Sequence, residues 1–212
     1  MNVKSYIDKI VWDAKKASRL MATADTSVKN AALEQMALNF INSKDLLIVE
    51  NEKDLRAAEE NGLSAAMIDR LRLTEQRIEA MAEGIREVIN LSDPVGEVME
   101  KIVRPNGLDI QKIRVPIGVI IIIYESRPNV TADAASLCLK TGNATILRGG
   151  KESIHSNIAI YRQISTALEK VGLDKNAIQV IETADREAVG HLLKSDEYAD
   201  LVIPRGDRKS VV

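Results

Sequence analysis

Apolar residues recur every three or four positions from Val3 to about Leu91, and beyond that point the period shortens to two. The first stretch therefore predicts helices and the second predicts strands. Ile7, Ile10, Val11 and Ala14 mark one face of a first helix. Asp25, Thr26 and Ser27 are N-cap candidates for a second, whose buried side would carry Ala31, Leu33, Met36, Leu38 and Phe40. Ser43 is placed to cap a third, with Leu46, Leu47, Val49 and Leu55 facing inward and Asn61-Gly62 ending it. Thr74, ahead of Arg77 and Ile78, opens a longer helix through Met81, Ile85, Val88 and Ile89. The turn SDPVGE, Ser92 to Glu97, closes the helical run.

Val98 to Val103 and Leu108 to Val115 flank Arg104-Pro105-Asn106-Gly107. Asn-Gly between two alternating runs predicts a hairpin, with a type I′ turn that needs positive φ at both central residues. Such a ribbon either extends a sheet and meets a partner subunit or stays within its own domain. After Pro116 the order becomes strand, helix, strand, helix, strand, helix, strand. Gly118–Ile123, Ala144–Leu147, Ile178–Ile181 and Leu201–Ile203 read as strands, with helices over Thr131–Lys140, Ser153–Val171 and Glu187–Leu193. The unbroken apolar run at Gly118–Ile123 suits a strand covered on both faces. The expectation is an α/β fold: a Rossmann-like parallel sheet with an N-terminal helical layer and a protruding β-hairpin. The boundaries fall at 1–97 (helical part of a cofactor-binding domain), 98–115 (hairpin) and 116–212 (β-α-β nucleotide-binding part).

Composition narrows the function classes. A formal charge of -2, with 3% aromatic residues, speaks against nucleic acid as a partner and offers few surfaces for stacking bases. No run approaches the apolar length of a membrane span, and the charged opening residues lack a signal peptide's apolar core, so a cytoplasmic address is expected. The single cysteine, Cys138, sits mid-helix among Ala135, Leu137 and Leu139 and reads as a small core residue. His155 and His191 are too few and too far apart for a metal cluster, and no metal is expected.

Candidate chemistry collects where strands end, because ligands of open parallel sheets bind there. In LRGGKES, Leu147 to Ser153, Gly149 and Gly150 would let backbone approach a ligand, and Arg148 and Lys151 supply positive charge. Ser153 could cap a helix whose amino end favours an anion. The alternative is a tight turn with solvated charges. Neither G-x-G-x-x-G nor a Walker A string is present. If this bend binds a dinucleotide, its two cations favour the 2′-phosphate of NADP over a bare ribose. In YESRPNVT, Tyr124 to Thr131, Arg127 could clamp a carboxylate or phosphate, Asn129 could donate to an oxyanion, and Thr131 could cap a helix. The rival reading is that Asn129 and Thr131 only cap and Arg127 pairs with Glu125. In IPRGD, Arg205 and Gly206 mark a third strand end that could face a cofactor.

DPVGE at Asp93, VPIGVIIIIYESRPNVT from Val115, LKTGNATILRGGKES from Leu139 and LVIPRG near Arg205 together resemble the gamma-glutamyl phosphate reductase (glutamate-5-semialdehyde dehydrogenase) family of the aldehyde dehydrogenase superfamily. The resemblance runs through Gly206. It implies NADPH-dependent reduction of L-glutamyl 5-phosphate to L-glutamate 5-semialdehyde in proline biosynthesis, with phosphate released. It implies a cysteine thiolate that forms a thioacyl enzyme, a β-rich oligomerisation flap including the Asn106-Gly107 hairpin, homo-oligomers, and glutamate 5-kinase as a pathway partner. It places Arg148 and Lys151 where the superfamily holds the adenosine ribose or its phosphate, and Asn129 near the oxyanion donor. Cys138 does not match the nucleophile, which is expected beyond Val212, so the chain is expected to be a truncated or frame-altered product, inactive alone. The other alternative is a non-catalytic nucleotide-binding or self-associating module. The usual Gly-Gly after IPR is Gly206-Asp207 here, and an aspartate would repel a pyrophosphate.

Overall fold

The computed structural model describes residues 2–205. The contact expected at Gly206, with Asp207 beside it, lies outside the described residues. Five helices come first: α1 (Val3–Met21), α2 (Thr26–Asn42), α3 (Lys44–Glu60), α4 (Ala65–Leu71) and α5 (Glu75–Asn90). A hairpin of β1 (Val98–Val103) and β2 (Asp109–Ile113) follows. The remainder alternates: β3 (Val119–Tyr124), α6 (Pro128–Lys140), β4 (Ala144–Arg148), α7 (Ile154–Lys170), β5 (Ile178–Val180), α8 (Glu187–Leu192) and β6 (Leu201–Arg205). Short 3-10 turns occupy Lys151–Ser153 and Lys175–Ala177.

The last four strands form a parallel sheet in the order β5-β4-β3-β6. Ile121 lies opposite Ile146 on one side and Val202 on the other. The chain leaves β3 in one direction for β4 and β5, then returns to add β6 on the opposite edge. The strand order therefore reverses between β3 and β6, which is where such sheets open a crevice.

Every residue of β3 is buried, and its two faces enter different cores. Val119, Ile121 and Ile123 pack with Ile7, Ile10, Val11 and Ala14 of α1 and with Ala188 and Leu192 of α8. Ile120, Ile122 and Tyr124 join the larger core, where Met36, Phe40, Ile85, Leu139, Ile160 and Leu168 bring in α2, α5, α6 and α7. The mixed α/β architecture and the parallel sheet expected from the apolar runs are those of the molecule. Helix α1 covers one face of the sheet; α6 and α7 cover the other, and α2 and α5 pack against those two helices.

Several local expectations are corrected. Leu38, Leu46 and Val49 are exposed, and so is Ala31; the inward faces of α2 and α3 instead use Ala32, Ala37, Asn51 and Asp54. Small and polar groups fill these positions because the helices approach α7 closely and bond to it. Neither Asp25 nor Ser43 makes a side-chain cap bond; the Ser43 hydroxyl donates to Gln163 Oε1 at 3.0 Å. Thr74 does cap, accepting from the Arg77 amide at 3.2 Å. The hairpin turn is not type I′: Gly107 alone among its residues has positive φ, +84°. Pairing of the Gly107 amide with the Arg104 carbonyl, and of the Arg104 amide with the Leu108 carbonyl, makes a type I turn followed by a left-handed glycine. Proline at the second turn position and asparagine at the third suit that geometry.

The hairpin is hydrogen-bonded as a two-stranded sheet of its own, and every residue of both strands is exposed. Below it, Lys29 is 1% exposed, and its Nζ meets Asp93 Oδ2 at 2.5 Å. Asp93 also accepts from Thr26 Oγ1 at 2.6 Å and from the Val95 amide at 3.0 Å. The turn after α5 is thereby bolted to α2. Among the described residues no helix is long and apolar enough to cross a membrane, and no group of histidine, cysteine and carboxylate side chains could hold a metal.

Candidate functional site

A cleft of about 750 Å³ opens at the carboxyl ends of the strands. The β3–α6 loop contributes Glu125, Ser126 and Arg127, the β4–α7 bend Arg148, Gly150, Lys151 and Glu152, and the end of β6 Arg205. A smaller hollow of about 260 Å³, between Tyr124, Arg127, Val130 and Arg205, lies at the reversal point between β3 and β6. The remaining walls come from α4, through Met67 and Arg70, and from α8, through Arg186 and Val189.

Four candidates from the sequence, Arg127, Arg148, Lys151 and Arg205, meet in this one cleft, and so does Gly150. Asn129 is not among the residues that line it. It is exposed on the first turn of α6, where its Nδ2 donates to Asp133 Oδ2 at 3.1 Å.

The paired glycines are required by close contacts within the protein. A Cβ on Gly149 would lie 2.2 Å from Asn157 Nδ2 and 3.1 Å from the Tyr124 ring. One on Gly150 would lie 2.1 Å from Ser126 Oγ and 2.9 Å from Glu152 Oε2. Close approach is required by the protein's own Tyr124, Ser126, Glu152 and Asn157, while Gly150 also lines the cleft. Ser126 Oγ donates to Glu152 Oε2 at 2.5 Å across the same gap.

Behind the bend, a buried chain of hydroxyl and amide groups fixes the two loops. The Tyr124 hydroxyl is 2.7 Å from Thr131 Oγ1, which donates to Asn157 Oδ1 at 3.0 Å. Asn157 Nδ2 donates to Ser153 Oγ at 3.0 Å, and Ser153 Oγ donates to the Gly150 carbonyl at 3.3 Å. Thr131 lies inside α6 rather than capping it, and Ser153 holds the N-cap position of α7 without a side-chain cap bond; each is buried in this network. Burial pushes the Tyr124 phenol well above its ordinary value, with the bond to Thr131 only partly opposing this. Tyr124 is thus a neutral strut rather than an acid or base.

The amino end of α7 is likewise taken. Asp54 of α3 accepts the backbone amides of His155 and Ser156 at 3.1 and 2.8 Å, and the Ser156 hydroxyl at 2.6 Å. An external anion has no place there, because a side chain of the protein already meets those donors. Burial nonetheless raises the Asp54 carboxyl, with the bonds from Ser156 and His155 opposing it.

What remains for a ligand is side-chain charge. Arg70, Arg127, Arg148, Lys151, Arg186 and Arg205 line the cleft against only Glu125 and Glu152, on a chain whose net charge is -2. Arg148 Nη1 donates to the Gly149 carbonyl at 2.7 Å and Nη2 reaches the Ala184 carbonyl at 3.5 Å. Its Nε is the one buried side-chain nitrogen or oxygen among the described residues with no hydrogen-bond partner. Burial lowers the Arg148 pKa, Glu152 opposes this, and Arg186 adds to it. Cys138, by contrast, is 6% exposed in the core, and burial pushes its thiol up to about 11. It cannot supply a thiolate at neutral pH.

Glu152, Ser126, Arg70 and Arg186 were not singled out from the sequence. Ser126 and Glu152 sit inside the two strings considered there. Arg186 follows β5, so the strand-end rule applied to β3, β4 and β6 could have found it. Arg70 gives no such signal, since it reaches the cleft only through the packing of α4.

The aldehyde dehydrogenase family matches residues 2–209. The chain is 55% identical over 202 residues to a gamma-glutamyl phosphate reductase of Magnetococcus marinus, covering 95% of this chain and 48% of that protein. With the enzyme of that name from Caldanaerobacter subterraneus it is 56% identical over 193 residues, covering 91% of this chain and 47% of the other. The crystal structure of gamma-glutamyl phosphate reductase from Thermotoga maritima superimposes with a TM-score of 0.94 at 38% identity, over 96% of this chain and 49% of that one. An acetylating aldehyde dehydrogenase from Geobacillus thermoglucosidasius shares the fold, with a TM-score of 0.71 at 17% identity over 94% of this chain and 41% of that one. The chain spans about half the length of the curated relatives it matches.

Proposed function

The chain belongs to the aldehyde dehydrogenase family, and from that premise we propose that it is the cofactor-binding part of an NADPH-dependent reductase. The reaction is conversion of L-glutamyl 5-phosphate to L-glutamate 5-semialdehyde with release of phosphate, a step of proline biosynthesis. The observation that carries this reading is the cleft at the strand reversal, where six cations face two carboxylates. A dinucleotide phosphate carries a comparable negative charge, about two on its pyrophosphate and about two on its 2′-phosphate.

The residues present fit such a cofactor. Arg148 and Lys151, which line the cleft, would hold the adenosine end. Gly149 and Gly150 would serve by bringing the bend against Ser126, which sets where those two cations stand. Arg205 and Arg127, at the reversal point, would meet the pyrophosphate and the acyl phosphate respectively. Asn129 would reach a developing oxyanion only after releasing Asp133. NADPH supplies the hydride. Cys138 is not the nucleophile, because it is buried and its thiol stays protonated, so the 212 residues bind and orient but do not form the thioacyl enzyme.

The exposed hairpin favours self-association. Ile102 and Ile110 pair across its strands, each 41% exposed, and a ribbon with both faces open is not stable by itself. We assign the hairpin to a homo-oligomer contact.

Calorimetric titration of the whole chain with NADP+ tests the reading. Binding is expected, and Arg148→Ala and Lys151→Ala should each weaken it at least tenfold. Equal affinity in both variants and the parent chain would remove these two residues from the site. Absence of binding in the parent would remove the cofactor reading itself.

A further inference from the structure

The wall of the cleft opposite the glycine bend is built by the segment between β5 and α8. It carries a cation that the resemblance does not explain. We propose that Arg186 determines cofactor specificity by closing, with Arg148, on a phosphate monoester attached to an adenosine. This deepens the dinucleotide reading above and rests on it.

Three observations converge. First, the Arg148 guanidinium bridges its own bend and the segment that precedes α8. One terminal nitrogen bonds the Gly149 carbonyl at 2.7 Å and the other reaches the Ala184 carbonyl at 3.5 Å. Ala184 stands two residues before Arg186, and both arginines line one cavity. Second, neither is salt-bridged, although the Glu152 charge favours the protonated Arg148. Among the described residues no carboxylate forms an ion pair with Arg148 or Arg186, and Glu152 is committed to Ser126 at 2.5 Å. Third, Arg148 Nε is buried without a partner, and burial, with the charge of Arg186 added to it and Glu152 opposing, works against the protonated form of Arg148.

Two like charges held at one cavity make an arrangement that an anion relieves. A phosphate monoester carries about -1.5 to -2 at neutral pH and presents three acceptor oxygens. Guanidinium groups match such oxygens two at a time, and an uncharged ribose edge offers no equivalent. Arg186 also sits at the start of α8, whose Val189, Gly190 and Leu193 line the cleft beside it. Those residues give the flat face of an adenine an apolar surface. The ligand is therefore a nucleoside carrying the phosphate rather than phosphate alone.

Arg186 is exposed, so its replacement should leave the fold intact. Calorimetry on the whole chain with 2′,5′-ADP, 5′-AMP and inorganic phosphate separates the outcomes, with thermal melting as a check on folding. The parent chain should prefer 2′,5′-ADP over 5′-AMP. Arg186→Ala should cut that preference at least tenfold while leaving 5′-AMP within twofold, and Arg186→Lys should restore part of it. A preference that survives in Arg186→Ala overturns the assignment of Arg186 while the dinucleotide reading stands. Failure of the parent chain to bind either nucleotide overturns both. Inorganic phosphate binding as tightly as 2′,5′-ADP overturns the adenosine part and with it the proposal.

Discussion

The carboxylate of Asp54, on α3, accepts both the amide and the hydroxyl of Ser156, 2.8 and 2.6 Å away at the start of α7. This contact ties α3 to α7 and fixes the helix that follows the cationic bend. Asn51, one turn earlier on α3, reinforces it by donating to Ser156 Oγ at 3.0 Å and to the Leu71 carbonyl at 2.8 Å. Asp54→Ala leaves amide and hydroxyl donors buried and unmet. It should cost about 3 kcal/mol, the range for hydrogen bonds to a charged group. Urea denaturation checks this through a lower midpoint at unchanged slope. A loss under about 0.5 kcal/mol, the level of an ordinary surface substitution, would show that solvent replaces the contact.

Two glycine substitutions should move stability in opposite directions. Gly150→Ala would put a methyl group 2.1 Å from Ser126 Oγ, forcing the two cleft loops apart. Overpacking of this kind costs about 1–3 kcal/mol, and NADP+ affinity should fall with it because Arg148 and Lys151 flank the displaced bend. Gly84, inside α5, has nothing within 4 Å of a Cβ and no positive φ. Gly84→Ala should therefore stabilise by roughly 0.5–1 kcal/mol. Thermal melts of the pair decide the matter, and a shared sign would contradict the packing argument.

Cys138 should behave as a core residue. With its thiol pushed up to about 11 by burial, it should resist an aromatic disulfide reagent at pH 8 in the native chain and react at once in denaturant. The chain should also show no turnover of L-glutamyl 5-phosphate with NADPH. Rapid native labelling of Cys138 would reopen the question of a nucleophile in these residues.

The sheet was legible because β3 and β4 carry apolar side chains toward both faces. That pattern survives without knowledge of the helices that cover it. The limits of α3 and α5 were legible too, since Asn61-Gly62 and Thr74 act locally. Leu46 and Val49 misled because helical period marks an apolar face without saying which face is buried, and Asn51 and Asp54 won the inward side through bonds to α7. Four cleft residues were legible because the strand-end rule depends only on where strands stop. The purpose of Gly149 and Gly150 was not, since it depends on Tyr124, Ser126 and Asn157 arriving from elsewhere in the chain. Arg70 was hidden for the same reason.

The Lys29–Asp93 pair under the hairpin yields a pH dependence with a definite sign. Burial raises the Asp93 carboxyl, but the bonds from Lys29, Thr26 and the Val95 amide outweigh it, and its pKa falls below the ordinary value. Lys140 faces the same pair, its Nζ held by Asn30 Oδ1 and the Ile89 carbonyl, each at 2.8 Å. A carboxyl whose folded pKa lies below its unfolded value of about 3.9 stabilises fully above that pH. The contribution is lost as pH falls through the folded value. Asp93→Asn should therefore lower stability at pH 7 yet flatten its decline below about pH 4. Lys29→Met, which strands a buried carboxylate, should cost about 3–5 kcal/mol at pH 7. The double replacement Lys29→Met with Asp93→Leu should cost less than Lys29→Met alone, because the stranded carboxylate is gone and Lys140 keeps its bonds to Asn30 and the Ile89 carbonyl. Denaturation at pH 7 and pH 3 measures all three, and an acid slope in Asp93→Asn equal to that of the parent chain would remove Asp93 as its source.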